Sequence, residues 1–392
     1  MVPNGWREKT LDEFAVKVLD GDRGREYPSS SDFFKEEYCL FLTAKNVTKN
    51  GFRFNETQFI TKEKDEALRK GKLKRQDIVL TTRGTVGNFA FYNDSVSVGH
   101  IRINSGMVVL RNTNIEIDNR FLFMLMRSPL MSRAIRKISF GSAQPQLTVK
   151  GIKRLKLSLP PYQEQIKIAG IISSWDQAIG ATEKLIDNSE RQKKALMQQL
   201  LTGKKRLKGF SGDWETVPLT SICKVETGSS NREDSSEQGE YTFFDRSTDI
   251  RRSDRYLFDT EAIIVGGEGQ DFIPKYFSGK FDLHQRAYCI HAFDGFSARY
   301  VYHAINYKRH LLKRFSVGST VASLRMGTFT KIPLRNIAIE EQVAIASALD
   351  SSDDEIIKLT KKRDYLKQEK SALMQQLLTG KRRVKIDGEI AA

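Results

Sequence analysis

Side chains able to break or make covalent bonds are few in this sequence, and none stands in a pattern that such chemistry requires. Pro160-Pro161-Tyr162 has the ending of the Asn/Asp-Pro-Pro-Tyr motif with which amino methyltransferases hold a target amine. The preceding residue is Leu159, which offers no oxygen to accept that hydrogen bond, so the prolines read as a stiff lead-in to a helix. The glycines at Gly84 and Gly266 open no Gly-x4-Gly-Lys-Ser/Thr run, so no phosphate loop is expected. Of the five histidines, His303 and His310 share a helical face without a metal set and are expected to cover a core; His100, His284 and His291 are scattered. Cys39, Cys223 and Cys289 are odd in number and far apart, which signals neither a disulfide framework nor zinc. The reading is a non-catalytic chain with no metal and no cofactor of its own.

What remains is recognition chemistry. Lys and Arg total 64 against 48 acids in 392 residues, a formal charge of +16, which points to a polyanionic partner and first to double-stranded DNA. A membrane surface is disfavoured, because no stretch approaches roughly 18 apolar residues and Met1 to Thr10 lacks a hydrophobic signal core. A cytoplasmic location follows. Base edges are read by Arg, Asn, Gln, Ser, Thr and acids on constrained loops, whereas other Lys and Arg hold phosphates. In the first half the candidates are Arg83, Thr85 and Asn88 at a glycine turn, Ser142, Gln144 and Gln146 in a later loop, and more weakly Lys45 and Asn46. In the second half they are Glu268 and Gln270 at a glycine turn, His284, Gln285 and Arg286, then Ser319, Thr320, Ser323 and Arg325.

These loops need elements to hold them, and the chain writes its elements twice. ALMQQLLTGK occurs at Ala195–Lys204 and again at Ala372–Lys381, and the gapless register of 177 extends from Gly141–Lys208 to Gly318–Lys385. Ile168, Ile172, Trp175, Ile179, Thr182 and Ile186 follow the alternating four-three spacing of a coiled-coil seam, as do Ile345, Leu349, Ser352, Ile356, Leu359 and Arg363. Polar residues interrupt each seam, so the two helices are expected to pair with each other, antiparallel; flush ends would bring Trp175 near Leu366 and Thr182 near Leu359. Gly203 and Gly380 read as helix caps, and the cations after them, Lys204, Lys205, Arg206 and Lys208, as mostly structural. Before each helix, a short apolar strand (Ile78-Val79-Leu80; Ile263-Ile264-Val265) runs into a glycine turn, and a helical stretch follows (Phe121 to Ile138; Ala298 to Phe315). The expected order is globular unit 1–160, helix 161–208, globular unit 209–337, helix 338–385 and tail 386–392. The fold class is α+β, two globular units alternating with two long paired helices in a pseudo-twofold repeat. A helix from Glu164 to Leu201 would span about 55 Å, roughly one and a half turns of duplex.

Taken together, the paired ALMQQLLTGK ends, the Glu164-Gln165-Ile166 and Glu341-Gln342-Val343 helix starts, and the segment Ile171 to Lys184 resemble the specificity subunit of type I restriction-modification enzymes, over essentially the whole chain. That resemblance implies two target recognition domains, each reading half of an asymmetric bipartite site, with helices that set the spacer and dock two modification subunits. It also implies that S-adenosylmethionine and adenine methylation belong to those partners, and cleavage to restriction subunits. The competing expectation is a stand-alone coiled-coil DNA-bridging or regulatory protein, which would need no partner.

Overall fold

In the computed structural model, which describes residues 2–139, 146–247, 249–318 and 320–386, the seam-spaced segments are two continuous helices of 39 residues each, Tyr162–Leu200 and Ile339–Leu377. The first begins directly after Pro160 and Pro161, with Gln165 N–H returning to Pro161 O at 3.1 Å. Both end alike. Gly203 and Gly380 take the left-handed conformation at φ +77° and +67°, as a helix cap requires. Lys205 N–H and Arg382 N–H then close back onto Gln199 O and Gln376 O, each at 3.2 Å. A side chain at Gly380 would also collide, its Cβ 2.4 Å from Pro3, and one at Gly203 would press on the Trp214 ring at 3.0 Å.

By contact the chain forms two compact units, Met1–Gly180 with Asp364–Ala392, and Ala181–Arg363. Each therefore combines one globular head with part of both long helices. In the first unit, an antiparallel four-stranded sheet runs in the order Val16–Asp20, Met107–Asn112, Ile78–Thr81, Phe89–Phe91. Successive side chains of a strand face opposite ways. Ile78, Leu80, Val108 and Leu110 accordingly enter one core, shared with Phe121, Leu122, Leu125, with Ile168, Ile172 and Leu377 of the long helices, and with Leu378 just past the second. Val79, Met107 and Val109 enter another, with Leu40, Leu42 and Ile103 from a three-stranded sheet of Phe59–Ile60, Cys39–Leu42 and Ile101–Ile103. The expected helical stretch Phe121 to Ile138 is two helices, Asn119–Met126 and Pro129–Ile138. Ser128 caps the second helix, and Pro129, lacking an N–H, sits at its first turn.

In the second unit, a six-stranded sheet runs Lys224–Thr227, Ala287–His291, Phe258–Gly266, Lys275–Leu283, Tyr241–Phe244, Ile250–Ser253, with one parallel pairing between the fourth and fifth. Ile263 and Val265 face the core made with helix Ala298–Tyr307 and with Leu200, Leu201, Ile345 and Leu349; Ala262 and Ile264 face a smaller one. Each unit also pins its head with a two-stranded antiparallel ribbon just before its long helix, Arg7–Thr10 with Lys156–Leu159, and Glu215–Pro218 with Pro333–Asn336.

The long helices pair antiparallel within each unit, and their ion pairs obey the sequence repeat. Asp176 meets Lys370 at 2.5 Å in the first unit, Lys193 meets Asp353 in the second, and positions 176 and 193 map onto 353 and 370 under the shift of 177. This corrects the flush-ended register, in which Asp176 would lie beside Tyr365. The stagger of about a turn arises because the segments after the caps cover the first turn of the partner helix. Arg383 forks onto Glu164 at 2.7 and 2.8 Å, and Arg206 onto Glu341 at 2.5 and 2.6 Å, with both carboxylates fully buried.

Candidate nucleic-acid interface

Each head is fixed to its helix by one buried glutamine. Gln165 accepts a hydrogen bond from Asp118 N–H at 3.0 Å and donates to Glu116 O and Pro160 O. Gln342 does the same with Ser297 N–H, Gly295 O and Ile337 O. Asp118 and Ser297 are themselves the caps of helices Asn119–Met126 and Ala298–Tyr307. A buried amide with every partner filled holds orientation, because moving it strands polar groups. The loops of a head therefore stand in a set relation to its long helix.

In the first head, three loops meet at one end of the four-stranded sheet: those after Asp20, after Thr81 and before Met107. Gly84 and Gly87 at φ +70° and +90° make the tight turn Thr82–Asn88 possible. Arg83 N–H bonds Gly106 O, and the Arg23 guanidinium bonds Ser105 O at 3.3 Å. The segment before the long helix joins the same face, since Leu147 N–H donates to Thr82 O at 3.0 Å. Arg83 and Thr85 are exposed there and Gln146 is half-buried. Beside the turn lies a cleft walled by Lys49, Thr85, Arg127, Ser132 and Arg136, with Arg127 donating to Lys49 O at 2.8 Å and stacked on the Phe123 ring.

In the second head, the equivalent bond runs from Leu324 N–H to Gly267 O at 2.7 Å, and position 324 is position 147 in the repeat. Gly269 N–H adds a bond to Ala322 O. Glu268 lies between Arg246 and Arg286, the latter at 2.8 Å. Burial works to raise the Glu268 carboxyl, but the two guanidiniums outweigh it and hold it below the usual carboxylate range. Gln285 donates to Asn231 Oδ1 at 2.5 Å, and Gly267 N–H to Arg286 O, so the loops holding Asn231, Arg246, Gly267–Gly269, Gln285–Arg286 and Ala322–Leu324 form one hydrogen-bonded polar face. His284 Nδ1 accepts from Arg286 N–H, and burial keeps this imidazole below its ordinary pKa. Gln270, Gln285, Arg286, Thr320 and Arg325 are exposed. Ser323 bridges both Glu268 and Val317.

Several candidates are spent within the fold. Asn46 is 1% exposed and donates to Arg53 O and Glu56 O; Asn88 is buried and donates to Val47 O, tying the hairpin at Lys49 to the glycine turn. Lys45 forms an exposed ion pair with Glu56 at 2.7 Å. Ser142, Gln144 and Ser319 lie outside the described residues. Sequence patterns did not single out Arg23, Lys49, Arg127, Arg136 and Arg246, because each reaches this surface through pairings distant in the chain. For the second set the visible sign was the glycine turn Gly266–Gln270, together with the polar residues His284–Arg286 and those before the second long helix.

Elsewhere, His303 is fully buried whereas His310 is exposed, so only His303 covers a core. Among the described residues, His303, Asp350 and Asp353 have metal-like spacing, but Arg299 and His303 Nε2 occupy Asp350 and Lys193 occupies Asp353. The group fastens helix Ala298–Tyr307 to the long helix. Burial pushes the thiols of Cys39, Cys223 and Cys289 up to about 12, which leaves them unreactive near neutrality. No described helix is long and apolar enough to cross a membrane.

Comparison with known proteins agrees with this layout. Residues 3–190 and 211–367 each match the sequence model of the type I restriction modification DNA specificity domain. The MjaVIII type I specificity subunit of Methanocaldococcus jannaschii is 24% identical over 319 residues, covering 72% of this chain and 75% of that protein. The EcoDI specificity subunit of Escherichia coli is 30% identical over 139 residues, 36% and 31% of the two chains. In fold, the chain superposes on the S subunit of a type I restriction-modification system from M. genitalium with a TM-score of 0.66 at 14% identity, covering 96% and 97% of the two.

Proposed function

This chain belongs to the type I restriction-modification DNA specificity family and is a DNA-recognising specificity subunit, and from that premise we propose that each head reads one half of an asymmetric, bipartite site. The observation that supports this reading is the equivalent pair of bonds, Thr82 to Leu147 and Gly267 to Leu324, which gathers each head's polar loops into one face. The helix ends repeat residue for residue, while the loops differ. Arg83, Thr85 and Gln146 present donors and acceptors for base edges in the first head. Glu268, Gln270, Gln285, Arg286 and Arg325 do so in the second. Lys49, Arg127 and Arg136 suit phosphates. The helices set the spacer between half-sites and dock two modification subunits, which supply S-adenosylmethionine and methylate adenine in the cytoplasm; restriction subunits join that complex.

Mapping N6-methyladenine across the genome of cells expressing this chain with its methyltransferase tests the reading. The expected motif has two unlike halves around a gap of fixed length. A continuous or palindromic motif, or tight specific binding by the chain without any methyltransferase subunit, would favour the stand-alone DNA-bridging protein instead. Exchanging Ala143–Gln146 for Thr320–Ser323 between heads tests the loops separately: only the corresponding half-site should change.

A further inference from the structure

The loop Gly267–Pro274 of the second head has an unusual alternation at its far end. Phe272 is 5% exposed and anchored in the core, Pro274 is buried, and Ile273 between them is 49% exposed. Phe272 adopts φ +43°, a left-handed backbone that a bulky residue takes only when its surroundings impose it. That turn sends the Phe272 ring inward and leaves the aliphatic Ile273 on the concavity walled by Arg246, Glu268 and Gln270. An exposed isoleucine held rigidly among polar base-reading groups has a natural counterpart in the duplex. Thymine alone carries an apolar group, its 5-methyl, on the major-groove edge, and a glutamine suits adenine N6 and N7.

We propose that Ile273 reads the methyl group of a thymine in the second half-site, with Gln270 serving the adenine chemistry of the same stretch. The proposal rests on the reading of this head as a recognition domain. Because Ile273 is exposed and Phe272 and Pro274 hold the loop, I273A should fold as the parent does and remove only the aliphatic contact.

The test uses the assembled complex with its methyltransferase subunits and duplexes bearing the mapped site. Each thymine of the second half-site is replaced singly by deoxyuridine, which lacks only the methyl. One such replacement should weaken the wild type about four-fold, the worth of one buried methyl group. I273A should bind the unmodified site about four-fold more weakly and be indifferent to that same replacement. A half-site without thymine, indifference of the wild type at every thymine, or equal sensitivity of both proteins overturns the proposal. Failure of the underlying reading is visible first and separately, as a wild-type complex that does not prefer its mapped site to a scrambled duplex, and it takes this proposal with it.

Discussion

Gln165 and Gln342 show how much a single buried amide can organise. Each satisfies a helix cap N–H and two carbonyls, of which Pro160 O and Ile337 O lie in buried bonds, so truncation breaks three hydrogen bonds and takes the side-chain donor from a buried carbonyl. Q165A should lower stability by about 2–4 kcal/mol in denaturant unfolding, and Q342A by a similar amount. A loss below about 0.5 kcal/mol would show that the clamp is not what fixes the head. The Glu-Gln pair was conspicuous in the sequence because it recurs in register. Its purpose was not: Asp118 and Arg383 lie 47 and 219 residues away from their partners, and no local pattern announces such pairings. Burial, which no local pattern shows, likewise separates the exposed Arg83 and Gln270 from Asn46 and Asn88, although Arg83 and Asn88 share one glycine turn. The two asparagines have the residue type of a reader, yet the fold has turned them inward onto carbonyls.

At the scale of elements, apolar period and glycine caps announced both long helices to within a few residues. The register between them was hidden, because Arg206 and Arg383 lie beyond the helix ends that periodicity describes. Two consequences follow for particular elements. The cleft beside the first glycine turn places Arg136 of helix Pro129–Ile138 opposite Lys49. R136A should weaken binding to all duplexes alike and reduce the salt slope of log K by about 1, without changing the preferred half-site. A changed half-site in methylation mapping would make Arg136 a base reader. In the second unit, burial pushes His303 below its ordinary value of 6.5 while Asp350, Arg299, Lys193 and Asp353 surround it. A depressed pKa means that the unfolded chain binds the proton more readily. The stability tied to neutral His303 is thus complete above 6.5 and lost as pH falls through the lower folded value. Thermal unfolding at pH 7.5 and 5.5 should show a drop in the wild type that H303Q largely abolishes; an equal drop in both would place the acid sensitivity elsewhere.

For the whole molecule, the repeat supplies a way to change one dimension alone. A four-residue insertion in one helix, before Leu196 for example, would push Met197, Leu200 and Leu201 out of register with Ile345 and Leu349, so it tests packing before it tests spacing. Seven residues preserve the seam. Placed after Gly180 and after Ile357, they enter both helices at related positions and leave each unit's ion pairs intact, Asp176 with Lys370 and Lys193 with Asp353. The added length is about 10.5 Å at 1.5 Å per residue, or roughly three base pairs of duplex. Methylation mapping should then return the same two half-sites with a spacer longer by about three base pairs. An unaltered spacer with retained methylation would mean that the partner subunits, not these helices, set the gap.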